Sequence, residues 1–331
     1  MPHSVILGTG RAVPERIVSN DDLARLMDTS DEWIRVRTGI EQRRWITEGE
    51  SGVSLGKAAA TEALAMAGEP ASALDAIIYA TSTPDHYAPG NGVFLQRELG
   101  LGTIPAIDIR MQCAGFVYAL SVADAYIRSG AFRRVLVVGQ EIQSTRMQVS
   151  TEGRNTAVIF ADGAGAVLLG ASDAPGRGIA AFDLHSQGEH AEKLWADGPS
   201  SMIRLEQWPE EIAAGRFWLQ MDGREVFRHA VVRMPESVRA ALARAGETLE
   251  AIKLLIAHQA NQRISEGVQK ELGLAETQTY NNIQHYGNTT AATIPIALDE
   301  CARAGRLAQG DLVVLTAFGS GFVWGSCVLR W

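Results

Sequence analysis

The chain has 331 residues, 46% of them hydrophobic and 21% charged, with a net charge of −8. That length buries a substantial core and suggests two domains, while the acidic balance excludes a general binder of nucleic acid or anionic membrane. Cys113, Cys301 and Cys327 are too few and too scattered for a disulfide framework or a zinc site, no apolar run approaches the ~18 residues of a membrane span, and no targeting pattern opens the chain, so a soluble cytoplasmic protein is expected.

Taken in order, residues 4–9 (SVILGT) read as a strand entering a glycine turn. Gly8 and Gly10 begin a dinucleotide-like pattern, but Val13 stands where the third glycine belongs, and a nicotinamide site is rejected. A short helix is predicted near 21–27, then a polar run at 28–39, an alanine-rich helix at 51–67 and a buried strand at 76–82 (AIIYATS). Two glycines and a proline make 85–92 a loop, and a helix follows at 93–99. The stretch 106–130, AIDIRMQCAGFVYALSVADAYIRSG, organises the rest of the chain. Its first residues read as the end of a short buried strand. From Cys113 onward Phe116, Leu120, Val122, Ala123 and Ile127 recur at helical spacing, and Gly130 closes the run. Cys113 therefore stands at a strand-to-helix turn, where unpaired N–H groups and the helix dipole are expected to lower a thiol's pKa toward the thiolate. Position alone leaves this beside the plainer reading of a small buried residue. A buried strand at 134–139 and a strand pair within 155–170 complete this half.

The second half repeats the pattern. Residues 253–257 (KLLIA) match 76–82, the helix 289–305 matches 113–130, 311–316 (DLVVLT) match 134–139 and 319–329 match 163–169, about 180 residues apart. This reads as a duplication, with halves 1–172 and 173–331 joined near 172–177 (SDAPGR). Buried strands alternating with helices predict largely parallel sheets, stacked as a layered α/β/α/β/α body. The strand-to-helix turns of both halves can then converge on one site.

Two polar clusters lie in those turns: His258-Gln259-Ala260-Asn261, and Tyr286-Gly287-Asn288-Thr289-Thr290. A lone histidine there is more often structural, and Asn288 alone could cap a helix. Beside a helix-terminal thiol, however, His and Asn can donate hydrogen bonds to a carbonyl oxygen and stabilise an enolate.

In DTSDEWIRVRTGI (28–40), CAGFVYAL (113–120), GAGAV (163–167), HQANQRI (258–264), YGNTTAATIP (286–295) and FGSGFVWGS (318–326) the chain resembles the β-ketoacyl-[acyl-carrier-protein] synthase III family, condensing enzymes of the thiolase fold. The resemblance implies Cys113 as the nucleophile that takes an acyl group from acyl-CoA. It implies His258 and Asn288 as donors to the malonyl thioester carbonyl, and the backbone N–H groups of Cys113 and Ser320 as the oxyanion hole. It further implies Trp33, Arg37 and Arg154 for CoA and Arg263 and Lys270 for docking the acyl carrier protein. Acyl-CoA and malonyl-carrier protein would be substrates of a homodimer that needs no resident cofactor or metal. Departures stand at Ser320, where the family usually has glycine, and at Gln112, where a small residue is usual. They continue at Ala88, beside Tyr87, where an aromatic often gates the acyl pocket of the partner subunit. An open gate predicts primers longer than acetyl, since each buried methylene contributes about 0.8 kcal/mol. A relative serving a specialised pathway with a non-standard acceptor is the alternative; a silent subunit is disfavoured by Cys113, His258 and Asn288 occurring together. Thiolase-type chemistry would need a further acid or base near the thiol, for which only Asp85 and His86 are in view. His185, Glu189 and His190 have no metal-ligand spacing and read as surface residues.

Overall fold

The computed structural model describes residues 2–174 and 176–331. Two mixed sheets form its frame. The first runs, in spatial order, His3–Ala12, Gly163–Ser172, Arg134–Glu141, Ala76–Ala80, Ala106–Ile109. The second runs Gly178–Ser186, Val323–Arg330, Leu312–Gly319, Ile252–Ala257, and Leu255 adds a parallel bridge to Thr279. Directions agree strand for strand. Ala76–Ala80 is parallel to both of its neighbours, as Ile252–Ala257 is to Leu312–Gly319, and the remaining pairs are antiparallel. The expectation of largely parallel sheets is thus corrected. Leu312–Gly319 and Val323–Arg330 are joined by three residues, too short for the crossover a parallel pair needs.

The continuous apolar runs follow from burial on both faces. In Ile252–Ala257, Leu254 and Ile256 enter the central core, while Leu255 and Ala257 enter an outer one; Val135 and Val137 likewise face inward and Leu136 and Val138 outward. Helices Gly115–Arg128 and Thr293–Arg303 fill the layer between the sheets, where Phe116, Leu120, Ile294 and Leu298 are at most 1% exposed. Each such side chain stabilises the fold by about 1.5–3 kcal/mol. Gly52–Ala67 covers the outside of the first sheet, and Gly223–Ala245 with Gln262–Leu272 that of the second. The body is α/β/α/β/α, with two similar halves.

Gly8 and Gly10 owe their place to packing. A Cβ on either would lie 2.2 Å from a carbonyl oxygen of the helix above, that of Ala63 or Ala59. The alanine-rich helix, started by a Ser51–Ser54 capping box and ended by Gly68 in the left-handed region, rests directly on this strand.

Some elements differ from the sequence reading. The polar run holds a helix, Asp31–Thr38, capped by Ser30 and ended by Gly39 at φ 77°. The short helix is Asn20–Ala24. Ala106–Ile109 is an edge strand and only half-buried, because no strand among the described residues pairs with its outer side. Only one strand, Gly163–Ser172, lies within 155–170. The segment before it bonds instead to the second half, Ala161 N donating to Asn288 O and Asn288 N to Ile159 O at 2.9 Å. Of the join at 172–177, residue 175 lies outside the described residues.

Candidate active site

Strand Ala106–Ile109 ends three residues before a 3₁₀ turn, Gln112–Ala114, that leads into helix Gly115–Arg128. In the second half the turn Thr290–Ala292 leads into Thr293–Arg303 in the same way. Each turn starts on a non-glycine residue in the left-handed region, Gln112 at φ 44° and Thr290 at φ 50°. Such a residue costs on the order of 1–3 kcal/mol and persists where its surroundings over-determine it.

Cys113 is 6% exposed. Burial, reinforced by the nearby Glu141, pushes its thiol up to about 12, against the backbone N–H groups of Ser320 and of Cys113 itself, which favour the thiolate. The expected lowering by the helix dipole is therefore corrected for the free protein: desolvation outweighs the local donors. Alkylation of Cys113 by iodoacetamide should accordingly keep accelerating above pH 10, running at pH 8 at least about tenfold below a solvated thiol. A plateau near pH 7 would contradict this. The close approach that aims Ser320 N–H at the sulfur rests on Gly319, where a methyl group would stand 2.7 Å from Cys113 Cβ and 3.1 Å from Sγ. Ser320 keeps an ordinary backbone φ, and its hydroxyl ties the turn to Leu194 by donating to that carbonyl.

His258 ends the exit of strand Ile252–Ala257, its N–H donating to Thr316 O at 2.8 Å. It is 1% exposed, and burial lowers its pKa to about 3, so the ring is neutral across physiological pH. Nδ1 lies 2.7 Å from Thr293 Oγ1; Nε2 is buried with no partner among the described residues. The Thr293 hydroxyl can also donate to Thr290 O at 3.0 Å, a carbonyl that accepts the Thr293 N–H through its other lone pair. The tautomer that makes His258 a donor to the cavity is the one with the ring proton on Nε2 and Nδ1 accepting from the Thr293 hydroxyl. Asn288 Oδ1 accepts from Thr290 N at 2.8 Å, leaving its NH₂ as a donor.

Two cavities meet at Cys113. The first, of about 560 Å³, brings together Cys113, His258 and Asn288 and runs out past Trp33, Arg37, Arg224 and Arg263. The second, of about 480 Å³, lies on the other side of Cys113, with Phe160 and Leu194 shared between them. At the outer end of the first, the Arg37 guanidinium lies 4.3 Å and that of Arg154 5.1 Å from the Trp33 ring. Arg263 and Lys270 are exposed on one face of helix Gln262–Leu272, seven residues apart. Tyr87, 80% exposed, and Ala88 line neither cavity.

Other residues take roles that the sequence hid. Asp85 caps the helix Gly52–Ala67 by accepting from Gly52 N and Val53 N, and His86 packs on Phe94, so neither is an acid or base at the thiol. The carboxyl near the thiol is Glu141, whose strand position carried no polar motif. It is fully buried and pushed up to about 7 by desolvation, accepting from Ser82 and Thr83. Thr293 and Arg224 were likewise unmarked. No helix among the described residues is long and apolar enough to cross a membrane, and no trio of His, Cys, Asp or Glu there could hold a metal ion.

The family models for 3-oxoacyl-[acyl-carrier-protein] synthase III match residues 107–188, and the C-terminal model of the same name matches 242–331. A β-ketoacyl-[acyl-carrier-protein] synthase III of Rhizobium meliloti (strain 1021) is 44% identical over all of both chains. The 3-oxoacyl-[acyl-carrier-protein] synthase III of Aquifex aeolicus VF5 superposes with a TM-score of 0.91 at 39% identity, covering 99% of this chain and 100% of that one. The priming β-ketosynthase of the R1128 polyketide pathway superposes with a TM-score of 0.91 at 33% identity, covering 99% and 96%. With Cys113, His258 and Asn288 gathered at the ends of matching elements, this chain belongs to the 3-oxoacyl-[acyl-carrier-protein] synthase III family of condensing enzymes.

Proposed function

We propose that the chain joins an acyl-CoA primer to malonyl-acyl carrier protein, releasing CoA and carbon dioxide and leaving a β-ketoacyl group on the carrier. The observation that supports it best is one cavity shared by Cys113, His258 and Asn288. Cys113 Sγ attacks the acyl-CoA carbonyl, the C–S bond to CoA breaks, and the thiol proton leaves with the CoA sulfur. The N–H groups of Cys113 and Ser320 receive the oxyanion. His258 Nε2–H and the Asn288 amide then donate to the malonyl thioester oxygen. As the C–C bond to the carboxylate breaks, its electron pair enters the enolate they stabilise; the enolate carbon attacks the Cys113 thioester, whose C–S bond breaks and returns Sγ as a thiolate that takes a proton from water. Decarboxylation supplies the carbon nucleophile without a strong base, which suits a neutral imidazole better than a carboxylate.

In this reading Trp33, Arg37 and Arg154 hold the nucleotide end of CoA, a role to which stacked guanidinium and indole groups are suited. Arg263 and Lys270 dock the acidic carrier protein. The enzyme works as a cytoplasmic homodimer without a resident cofactor, residues 1–172 and 173–331 are its two halves, and Tyr87 and Ala88 form an open gate in the partner's acyl site. A specialised-pathway primer is the second reading, favoured by the polar groups Gln112, Gln143 and Thr145 lining the cavity behind Cys113.

Mass spectrometry of the intact protein after mixing with acetyl-, butyryl-, octanoyl- and decanoyl-CoA tests the assignment. The expected result is an acyl adduct that Cys113→Ala abolishes, with chains longer than acetyl accepted. Acetyl preferred by more than about tenfold would reject the open gate. The absence of any adduct would reject the acyl-CoA half-reaction.

A further inference from the structure

The cavity behind Cys113 is not lined as a site for a plain alkyl chain. Trp195, Phe217 and Trp218 supply an apolar wall, but Arg110 and Arg146 open into the same space. Arg110 follows the edge strand Ala106–Ile109, three residues before the nucleophile; Arg146 ends the turn Ser144–Arg146 that follows strand Arg134–Glu141. No aspartate or glutamate lines the cavity, and among the described residues neither arginine has a carboxylate within salt-bridge distance. Desolvation lowers the Arg146 pKa; the charge of Glu141 opposes this and that of Arg110 adds to it, so the two guanidinium groups share one electrostatic environment. Glu141 does not neutralise them by contact, because its oxygens are occupied by Ser82, Thr83 and Gln143.

Two neighbouring cations without a counter-ion among the described residues, in a partly desolvated space, make a neutral chain costly to bind, since the chain displaces water from both and returns no hydrogen bond. A carboxylate removes that cost, and the guanidinium fork matches it bidentately.

From this lining we propose that the acyl site selects a primer whose far end is anionic, an ω-carboxyacyl thioester, held by Arg110 and Arg146 while its thioester carbon meets Cys113. The proposal rests on the acyl-CoA reading above. The loading step is unchanged: Sγ forms the new thioester, the C–S bond to CoA breaks, the thiol proton leaves with CoA, and the distal carboxylate stays ionised throughout.

The test measures Cys113 acylation rates by intact mass with two chain-matched pairs, glutaryl- against valeryl-CoA and succinyl- against butyryl-CoA, in the wild type, Arg146→Gln and Arg110→Gln. The expected result is that the anionic member of each pair loads at least tenfold faster in the wild type. In each variant that ratio should fall at least tenfold, with the thermal midpoint confirming a folded protein. Neutral members loading as fast or faster in the wild type, or ratios unmoved in both variants, would overturn the anion site while leaving the acyl-CoA reading intact. No adduct from any of the four would overturn both.

Discussion

Replacing His258 or Asn288 by alanine is expected to slow decarboxylation of the malonyl thioester by about 10²–10³ while leaving acylation of Cys113 by acyl-CoA within about threefold. The asymmetry follows from where charge develops. When the carboxylate departs, its electron pair is delocalised onto the thioester oxygen, and the Nε2–H of His258 and the amide of Asn288 are the donors available there. Acyl transfer instead places its oxyanion at the backbone of Cys113 and Ser320, which neither substitution removes. Because burial holds the His258 pKa at about 3, the ring does not titrate between pH 5 and 8, so decarboxylation should show no inflection from this group in that window. The double variant should lose less than the sum of the single losses, since both donors serve one oxygen. Equal loss of both half-reactions in His258→Ala would mean that this histidine acts on the Cys113 proton, and the division of roles would fail.

Gly319→Ala should lower Cys113 acylation by at least about 10²-fold without unfolding the protein. The added methyl would stand 2.7 Å from Cys113 Cβ, 3.0 Å from its backbone N and 3.1 Å from Sγ, distances that force the turn or the nucleophile to move. A shift there pulls the Ser320 N–H away from the sulfur and spoils attack geometry, which tolerates little error. Gly188→Ala is the control, because its Cβ meets nothing within 4 Å; its stability should stay within about 0.5 kcal/mol of the wild type. Acylation of Gly319→Ala at the wild-type rate would show that the turn relaxes without consequence and that Ser320 N–H is dispensable.

The layered fold was legible in the chain because the strand segments 76–80, 135–139, 254–257 and 312–315 are buried on both faces and read as unbroken apolar runs. The helix after Cys113 showed its period because its inward face is apolar throughout. The candidate triad was legible too, since each member stands in a strand-to-helix turn with polar or glycine neighbours. What the linear pattern did not carry was strand direction at the hairpin ends, the helix inside the charged run 28–39, and the pairing of 159–161 with Asn288 across the two halves. The last depends on contacts between residues more than a hundred positions apart, whereas the hairpin and the helix are set locally, by a three-residue connection and by the caps Ser30 and Gly39.

The sequence by itself determined the family, the duplicated frame and the place of Cys113 at a strand-to-helix turn, because periodicity and turn chemistry are local and survive in one dimension. Only the tertiary structure decided the protonation of the site. Cys113 is held as a thiol and His258 as a neutral ring because both are desolvated by residues from distant parts of the chain. It also decided the character of the second cavity, where Arg110 and Arg146, unremarkable in sequence, face one space beside Cys113. Burial is a property of the packed body, and charge acquires its chemical meaning there.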